Sequence, residues 1–258
     1  MRYAVLADVH ANLEALSAVL AAAAAEGAER VVCAGDLVGY HADPDACVER
    51  LRAASVICVA GNHDRVAAGL AEPTRFGPVA RRAALWTRAR ISARSRAFLA
   101  ALPVHRVVDG RFLLFHGALH PAPNADLHLS SDARVARSIQ ALRDGPWPVS
   151  LAFFGHTHRG VVHEANGEAR RSWEGPMIQL AAGARYLVNP GSVGQPRDGD
   201  PRAAFALFDA APDGGVVRLC RVAFDRDACL AKAADAGLLA PEPAGRLSRL
   251  VEALRRLS

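Results

Sequence analysis

Five short apolar runs of the chain each lead directly into residue types that bind metal ions. The runs read AVLAD, VVCAGD, VICVAGNHD, FLLFHG and LAFFGHTH. Such runs are typical of buried strands, and in open α/β sheets ligands bind beyond the carboxyl ends of the strands. The pattern therefore predicts a sheet edge at which the polar side chains converge. These side chains are Asp8, His10, Asp36, Asn62, His63, His116, His156 and His158.

The segments between these runs predict βαβ units in the first part of the chain. Strands are expected over 3–7, 30–34 and 56–60, with helices over 12–26 and 43–53 between them. Asn12 is placed to cap the first helix and Gly27 to end it. Two further helices are expected over 76–101.

The second half of the chain is richer in strand signals. Asp109 and Gly110 separate strand-like runs over 104–108 and 111–115, which predicts a hairpin. A helix is expected near 132–142, and the total of more than ten strands exceeds a comfortable open sheet. The expected fold class is α/β, with two mixed β-sheets packed face to face and helices on the outer sides. The remaining strands are expected over 151–154, 161–163, 177–180, 186–188, 203–208 and 216–222.

A single domain is expected to span 1–258, because the chain shows no fixed-period repeat and no low-complexity linker. The segment 225–258 is expected to close the domain as a C-terminal pair of helices. Apolar residues recur there at helical spacing, which indicates either core packing or the contact of a homo-oligomer. They include Leu247, Leu250, Val251, Leu254 and Leu257.

The net charge of +5 does not by itself indicate a nucleic-acid-binding protein. Lys232 is the single lysine among 31 basic residues, an arginine bias that fits a GC-rich genome as well as any anionic partner. The arginines over 75–96 lie among apolar residues at helical spacing. We interpret this segment as a solvated helix face, and expect nucleic acid to bind only as a nucleotide or short oligonucleotide.

The cysteines and the chain start favour a cytoplasmic protein. Five cysteines are scattered without a Cys-x-x-Cys spacing, and Cys33 and Cys58 lie inside apolar runs, where thiols behave as small hydrophobes. The first residues run directly into a strand without a charged leader. No apolar run is long enough to cross a bilayer, so no membrane partner is expected.

The donor types at the strand ends select a class of metal site. Imidazole, carboxylate and amide groups are present without a thiolate, whereas a structural zinc site would favour cysteines. Eight such ligands are too many for one ion with open positions, but they suit two ions that share a carboxylate. Glycines beside the ligands let the backbone turn sharply and approach the metals. These glycines are Gly35, Gly61, Gly117 and Gly155.

The ordered set of motifs resembles that of the calcineurin-like metallophosphoesterases. Segments 7–16, 35–40 and 189–197 also resemble the small bacterial phosphodiesterase branch of that superfamily, which includes YfcE-like enzymes. The motifs are Asp8-x-His10, Gly35-Asp36, Gly61-Asn62-His63-Asp64, His116-Gly117 and Gly155-His156-x-His158.

The resemblance implies a dinuclear metal-dependent phosphoric ester hydrolase. Its expected reaction is hydrolysis of a small phosphodiester, such as a cyclic nucleotide or dinucleotide, by a metal-bridging hydroxide. Two divalent ions per chain are expected, manganese foremost, although iron, cobalt, nickel or zinc suits the same donors. One ion would be held by Asp8, His10, Asp36 and His158, and the other by Asp36, Asn62, His116 and His156.

The resemblance also implies roles for residues beside the ligands. His63 would protonate or stabilise the leaving oxygen, and Asp64 would orient the His63 imidazole. His41 replaces a glycine that relatives often have, and so would narrow the substrate mouth or add a donor. The expected substrate contacts are Asn12, His41, Ser192 of the Asn-Pro-Gly-Ser segment, and Arg197.

Departures from the family pattern narrow the range of activities to be expected. Protein Ser/Thr phosphatases of this superfamily carry Asp-Arg-Gly where this chain has Asp36-Leu37-Val38, and Glu where Asp64 stands. A small-molecule esterase is therefore favoured over a protein phosphatase. Two alternatives stay open, a phosphomonoesterase and a non-catalytic metal-binding scaffold on the same fold. The histidines outside the motifs are given no role; they include His105, His120, His128 and His163.

Overall fold

Twelve strands and seven helices make up the described residues of the computed structural model, which are 1–124, 126–167, 169–212 and 214–239. The strands are β1 (Arg2–Leu6), β2 (Arg30–Cys33), β3 (Ile57–Cys58), β4 (His105–Val108), β5 (Phe112–Phe115), β6 (Leu151–Phe153), β7 (Gly160–Asn166), β8 (Ala169–Trp173), β9 (Met177–Leu180), β10 (Arg185–Pro190), β11 (Ala203–Ala211) and β12 (Gly214–Val222). The helices are α1 (Leu13–Ala25), α2 (Pro44–Ala53), α3 (Asn62–Ala68), α4 (Pro78–Arg90), α5 (Ala93–Ala100), α6 (Asp132–Asp144) and α7 (Arg226–Asp235).

The strands form two mixed sheets of six strands each. The first sheet has the order β3-β2-β1-β11-β12-β9, and the second has the order β4-β5-β6-β10-β7-β8. In the first sheet β1, β2 and β3 are parallel, and in the second β5, β6 and β10 are parallel. The other pairings are antiparallel.

Alternation along the strands produces a layered core. In β1, Val5 packs in a cluster with Phe153 of the second sheet, whereas Leu6 packs in a cluster with Leu16 of α1. A third cluster joins the outer face of the second sheet to α6 through residues such as Ile139. Because successive side chains of a strand point to opposite faces, one strand contributes to two layers. The predicted fold class, two sheets face to face with helices outside, is confirmed.

Two elements of the structure are not predicted by the sequence pattern. Helix α3 has only seven residues and starts at the polar Asn62, so its apolar signal is short. Strand β8 reads ARRSW, and its residues are largely exposed. An edge strand of this kind carries charged residues that discourage pairing with other chains, and these residues hide its strand periodicity. The predicted hairpin is confirmed, with φ of 49° at Asp109 and 67° at Gly110 as its tight turn requires.

Helix α7 lies within the predicted C-terminal segment. Lys232 of α7 forms ion pairs with Glu14 of α1 and with Asp43 before α2, each at 2.5 Å. These ion pairs connect α7 to both helices. The second helix and the apolar stripe expected after it lie outside the described residues. The single domain over 1–258 with a helical segment over 225–258 stays a prediction. None of the described helices has the length and apolar character that a membrane span requires.

Asn12 connects the start of α1 to a distant loop. Its side-chain oxygen accepts a hydrogen bond from the Ala15 N–H at 3.0 Å, which is the predicted N-cap. Its side-chain nitrogen donates to the Gly194 carbonyl at 3.1 Å. Only 1% of Asn12 is exposed, so both contacts are buried.

We expect Asn12→Ala to lower the free energy of unfolding by about 1–3 kcal/mol, because it removes the cap and leaves the Gly194 carbonyl without its donor. Asn12→Ser keeps a capping oxygen and loses only the second contact, so its loss should be smaller. Urea unfolding of the metal-free proteins measures both losses. Equal stability of wild type and Asn12→Ala would contradict the capping role.

Candidate metal centre

The parallel strands of the two sheets end at a common site. Both oxygens of the Asp8 carboxylate lie within hydrogen-bonding distance of the His156 backbone N–H, at 2.9 and 3.1 Å. This contact joins the end of β1 in the first sheet to the end of β6 in the second. The side chains that follow the parallel strands therefore meet, as the sequence predicts. They are Asp8 after β1, Asp36 after β2, Asn62 after β3, His116 after β5 and His156 after β6.

The ligand atoms at this site form three overlapping groups, and in each group they lie within 4.8 Å of one another. Asp36 is common to two of the groups. Its Oδ2 lies 3.2 Å from His116 Nε2 and 3.7 Å from His10 Nε2. The Asp36 carboxylate therefore lies close to candidate ligands of more than one group. The groups are Asp8–His10–His158, His10–Asp36–His63 and Asp36–His116–His156.

Backbone carbonyls orient three of the histidine rings. In each ring Nδ1 lies within hydrogen-bonding distance of a carbonyl oxygen, which leaves Nε2 directed toward the carboxylates. Metal-binding histidines are commonly held in this way through the nitrogen that does not bind the metal. The pairs are His10 with Val38 at 3.2 Å, His116 with Ala34 at 2.7 Å and His158 with Gln195 at 2.7 Å.

Four buried polar atoms at the site have no hydrogen-bond partner among the described residues. They are Asn62 Oδ1, His63 Nδ1, His116 Nε2 and His156 Nε2. An unpaired buried polar atom costs about 1–3 kcal/mol, and a bound cation would remove that cost. Burial also lowers the pKa of His10, His156 and His158, the last to about 3, so these rings are neutral near pH 7. Neutral imidazole is the form that binds metals. The residues therefore fit divalent cations.

The two carboxylates at the centre also favour a cation. Burial raises the pKa of Asp8 to about 7, opposed by His116 and reinforced by the negative charge of Asp36. Burial works to lower the pKa of His116, but Asp36 and Asp8 outweigh it and raise that pKa to about 9. The two carboxylates thus keep the His116 imidazole protonated. A divalent cation would offer them more positive charge than that proton does.

The backbone is strained at the ligands. Five of the predicted metal-binding residues have φ between 51° and 71°, a region that L-residues other than glycine rarely adopt. Each such residue costs about 1–3 kcal/mol and persists only where its surroundings impose the conformation. Backbone hydrogen bonds of 3.0 Å from Asp8 to Gly35 and from His10 to Asp36 impose it here. The strained residues are Asp8, His10, Asp36, His156 and His158.

The structure corrects the role predicted for Asp64. Its carboxylate accepts hydrogen bonds from the backbone N–H groups of Leu37 at 2.8 Å, Val38 at 3.2 Å and Gly61 at 2.9 Å. It does not hydrogen-bond the His63 ring, whose Nδ1 has no partner among the described residues. Asp64 therefore ties the loop after β2 to the start of α3, and positions the site through the backbone.

His63 lies beside the ligands with its ring enclosed by other rings. Its ring centroid is 4.9 Å from that of His10, 4.9 Å from Tyr40 and 4.6 Å from Phe76. Its backbone N–H donates to Asp36 Oδ1 at 2.9 Å. Burial lowers the pKa of His63 to about 4, so the ring is neutral near pH 7.

A cavity of about 470 Å³ opens onto the site. At its inner end lie Asp36, Asn62, His63, His156 and His158. Sequence reasoning missed much of the outer wall, because most of those residues lie in loops outside the motifs. His128 lies outside the motifs, and its ring stacks on His156 with 3.7 Å between centroids. The missed residues are Tyr40, Arg75, Phe76, Asp126 and His128.

Of the four predicted substrate contacts, the structure places Arg197 in the wall of this cavity. Its guanidinium donates to the Tyr40 hydroxyl at 3.1 Å. Asn12 and His41 instead line a neighbouring cavity of about 480 Å³, on the other side of Tyr40. Ser192 is fully buried, and its hydroxyl donates to the Asp8 carbonyl at 2.8 Å. Ser192 therefore supports the turn that carries Asp8.

We expect Gly61→Ala to disrupt the site, because a Cβ at this position would overlap the Asp36 carboxylate and backbone. The φ of Gly61 is −91°, so alanine would add no backbone strain. Steric overlap alone should lower the stability of the metal-free protein by about 1–3 kcal/mol and abolish metal binding.

The control is Gly160→Ala, whose Cβ would lie 3.5 Å from the Leu219 side chain, an ordinary contact. Urea unfolding and elemental analysis should show little change in this variant. Normal stability and metal content in Gly61→Ala would mean that Asp36 does not occupy its position against Gly61.

Comparisons with known proteins agree with this geometry. The family model of the calcineurin-like phosphoesterase superfamily domain matches residues 1–213. The uncharacterized protein MJ0912 of Methanocaldococcus jannaschii is 36% identical over 208 residues, which cover 80% of this chain and 82% of that protein. A metallophosphoesterase from Sphaerobacter thermophilus is 35% identical, with a TM-score of 0.74 over 93% of this chain and 95% of its own. The hypothetical protein PH1004 of Pyrococcus horikoshii shares the fold at 19% identity, with a TM-score of 0.71 over 93% and 94%. The resemblance in the motifs is thereby confirmed, and the chain belongs to the calcineurin-like phosphoesterase superfamily.

Proposed function

We propose that the protein is a phosphodiesterase that hydrolyses small phosphodiesters with two divalent cations. The observation that carries the proposal is the position of Asp36, whose Oδ2 lies 3.7 Å from His10 Nε2 of one proposed set of ligands and 3.2 Å from His116 Nε2 of the other. A single ion would use only part of this set, since His10 and His156 belong to different groups around Asp36. The family assignment supports the phosphoesterase chemistry.

The proposed ligands divide into two sets around Asp36. When bound, two divalent cations acidify water and neutralise phosphoryl oxygens. The buried Asn62 Oδ1 and His156 Nε2, unpartnered among the described residues, fit the second set. The first set is Asp8, His10, Asp36 and His158, and the second is Asp36, Asn62, His116 and His156.

The chain's own groups bind and orient the substrate around these ligands. The neutral His63 imidazole carries one N–H, which would donate to the leaving oxygen at the inner end of the cavity. Arg197 lies at the cavity wall and would donate to a phosphate oxygen. The Tyr40 hydroxyl accepts from Arg197 and limits where that guanidinium can reach.

Hydrolysis of bis-p-nitrophenyl phosphate tests the activity. We expect turnover with added manganese and its loss with a chelator, together with slower release from the monoester p-nitrophenyl phosphate. The reverse order of the two substrates would favour the phosphomonoesterase alternative. Absence of turnover with manganese, iron, cobalt, nickel and zinc would favour a non-catalytic scaffold.

We expect elemental analysis of the reconstituted protein to find two divalent ions per chain. Asp36→Asn should reduce the content to one or none, because it removes negative charge from both ions at once. The amide of this variant retains an oxygen that can accept a hydrogen bond from the His63 backbone N–H. The contact between the loop after β2 and the start of α3 should therefore survive. One ion in the wild type, or two in Asp36→Asn with full turnover, would contradict the shared-ligand assignment.

We expect His63→Ala to lower kcat by about 10²- to 10⁴-fold for diesters with alkoxide leaving groups, such as dinucleotides. The loss should be much smaller for p-nitrophenolate, because that anion leaves without a strong donor. Metal content should stay at the wild-type value, which separates a hydrogen-bond donor from a metal ligand. Equal losses across leaving groups, with both ions retained, would show that His63 acts on the phosphoryl group instead.

A further inference from the structure

The second cavity, of about 480 Å³, lies beside the metal centre and has a mainly apolar wall. Phe224, the buried Ala233 of α7 and the buried Leu238 belong to this wall. Two charged residues, Asp200 and Arg226, also line it. An apolar wall of this kind favours apolar side chains as its occupants, because their burial removes apolar surface from water on both sides.

Three large apolar side chains at the edge of this cavity are exposed. Val79 of α4 is 42% exposed, Leu230 of α7 is 39% exposed and Leu239 is 43% exposed, and all three line the cavity. We call these three residues the apolar rim. Single exposed apolar residues are ordinary on a protein surface, but a group of them around an apolar cavity indicates a contact surface.

The described part of the chain ends at this surface. Leu239 is the last described residue, and residues 240–258 follow it in the sequence. The Arg82 guanidinium donates to the Leu238 carbonyl at 3.1 Å and to the Leu239 carbonyl at 2.7 Å. These hydrogen bonds hold the chain beside the cavity, so residues 240–258 begin within reach of the apolar rim.

The sequence after Leu239 carries apolar residues at helical spacing, which we call the C-terminal stripe. The connection from 239 to 247 can span about 26 Å when extended, which is enough for the stripe to turn back onto the rim. A segment tethered at the rim also has a high effective concentration there, which favours it over a free ligand. The stripe consists of Leu247, Leu250, Val251, Leu254 and Leu257.

We propose that segment 240–258 covers the second cavity, with the C-terminal stripe packed on the apolar rim. The occupant of the cavity is then the protein's own chain. The inference goes beyond the proposed phosphodiesterase function and does not depend on it, because it involves no ligand of the metal centre.

The inference also changes the roles expected for two predicted substrate contacts. Asn12 and His41 line the second cavity and not the cavity at the metal centre. Under segment 240–258 they face the protein's own chain instead of the substrate. Tyr40 lines both cavities, and its hydroxyl accepts from Arg197 at 3.1 Å. The segment therefore packs behind the wall that holds Arg197.

Disulfide trapping in the full-length protein tests the inference. Leu230→Cys places a thiol on the rim, and it is combined with a second cysteine in segment 240–258 before treatment with oxidised glutathione. The second substitution is Leu247→Cys, Leu250→Cys or Leu254→Cys in the stripe, and Arg249→Cys or Arg256→Cys as matched controls on the opposite side of a helix of this sequence. We expect at least one stripe variant to form about 10-fold or more intramolecular disulfide than either control, measured by mass spectrometry of unreduced peptides.

Amide hydrogen exchange of α7 provides a second measurement without oxidation. The variant Leu250→Ala/Leu254→Ala should exchange faster over 226–235 than the wild type, because it removes apolar contacts from the rim. The control Arg249→Ala/Arg256→Ala should exchange like the wild type.

Equal disulfide yields in the stripe and control variants would overturn the inference, and so would equal exchange of α7 in the two alanine variants. Disulfides that form only between two chains would overturn it as well, because the occupant would then be a second copy of the protein. Neither measurement involves hydrolysis, so the result stands apart from the outcome of the activity assay.

Discussion

Asp8 and Asp36 are buried side by side where the two sheets meet, and the cost of removing two carboxylates from water shapes their surroundings. Backbone N–H groups meet part of that cost, since His156 donates to Asp8 and His63 donates to Asp36. The carboxylates also lie near neutral imidazoles such as that of His158 and near the protonated imidazole of His116. The contact from His156 to Asp8 also joins the two sheets, so the ligand arrangement and the fold depend on each other. A site of this kind is preorganised before any metal arrives.

The strained backbone follows from the same constraint. Several short side chains must turn back toward one small volume directly after a strand, and a left-handed residue is the tightest way to make that turn. Asp8, His10 and Asp36 take this conformation although they are not glycines. Gly61 shows the complementary requirement, because the Asp36 carboxylate fills the space that a Cβ would need. Strain and close packing therefore occur at the ligands, where the surrounding hydrogen bonds sustain them.

The strand ends and their donor residues were predictable from sequence because both signals are local. Each apolar run and the residue that follows it can be read within about ten positions, and the parallel arrangement then requires convergence. The role of Asp64 was not predictable in this way. Its partners Leu37 and Val38 are more than 25 residues distant, and a carboxylate beside a histidine suggests a side-chain contact just as well. Phe76 and His128 were missed for the same reason, since only the folded chain places them in one wall.

The division of labour between strands and loops separates the chemistry from the specificity of the site. Replacing a ligand such as Asp8 would break the contact between β1 and β6 as well as the metal site, so these positions are coupled to stability. Phe76 and His128 lie in loops and retain some exposed surface, and their rings pack on His63 and His156. The outer wall is therefore made of loop residues that contact the metal centre through their rings. A shared set of candidate ligands consequently identifies the family, whereas the organic part of the substrate must be inferred from the loop residues of each chain.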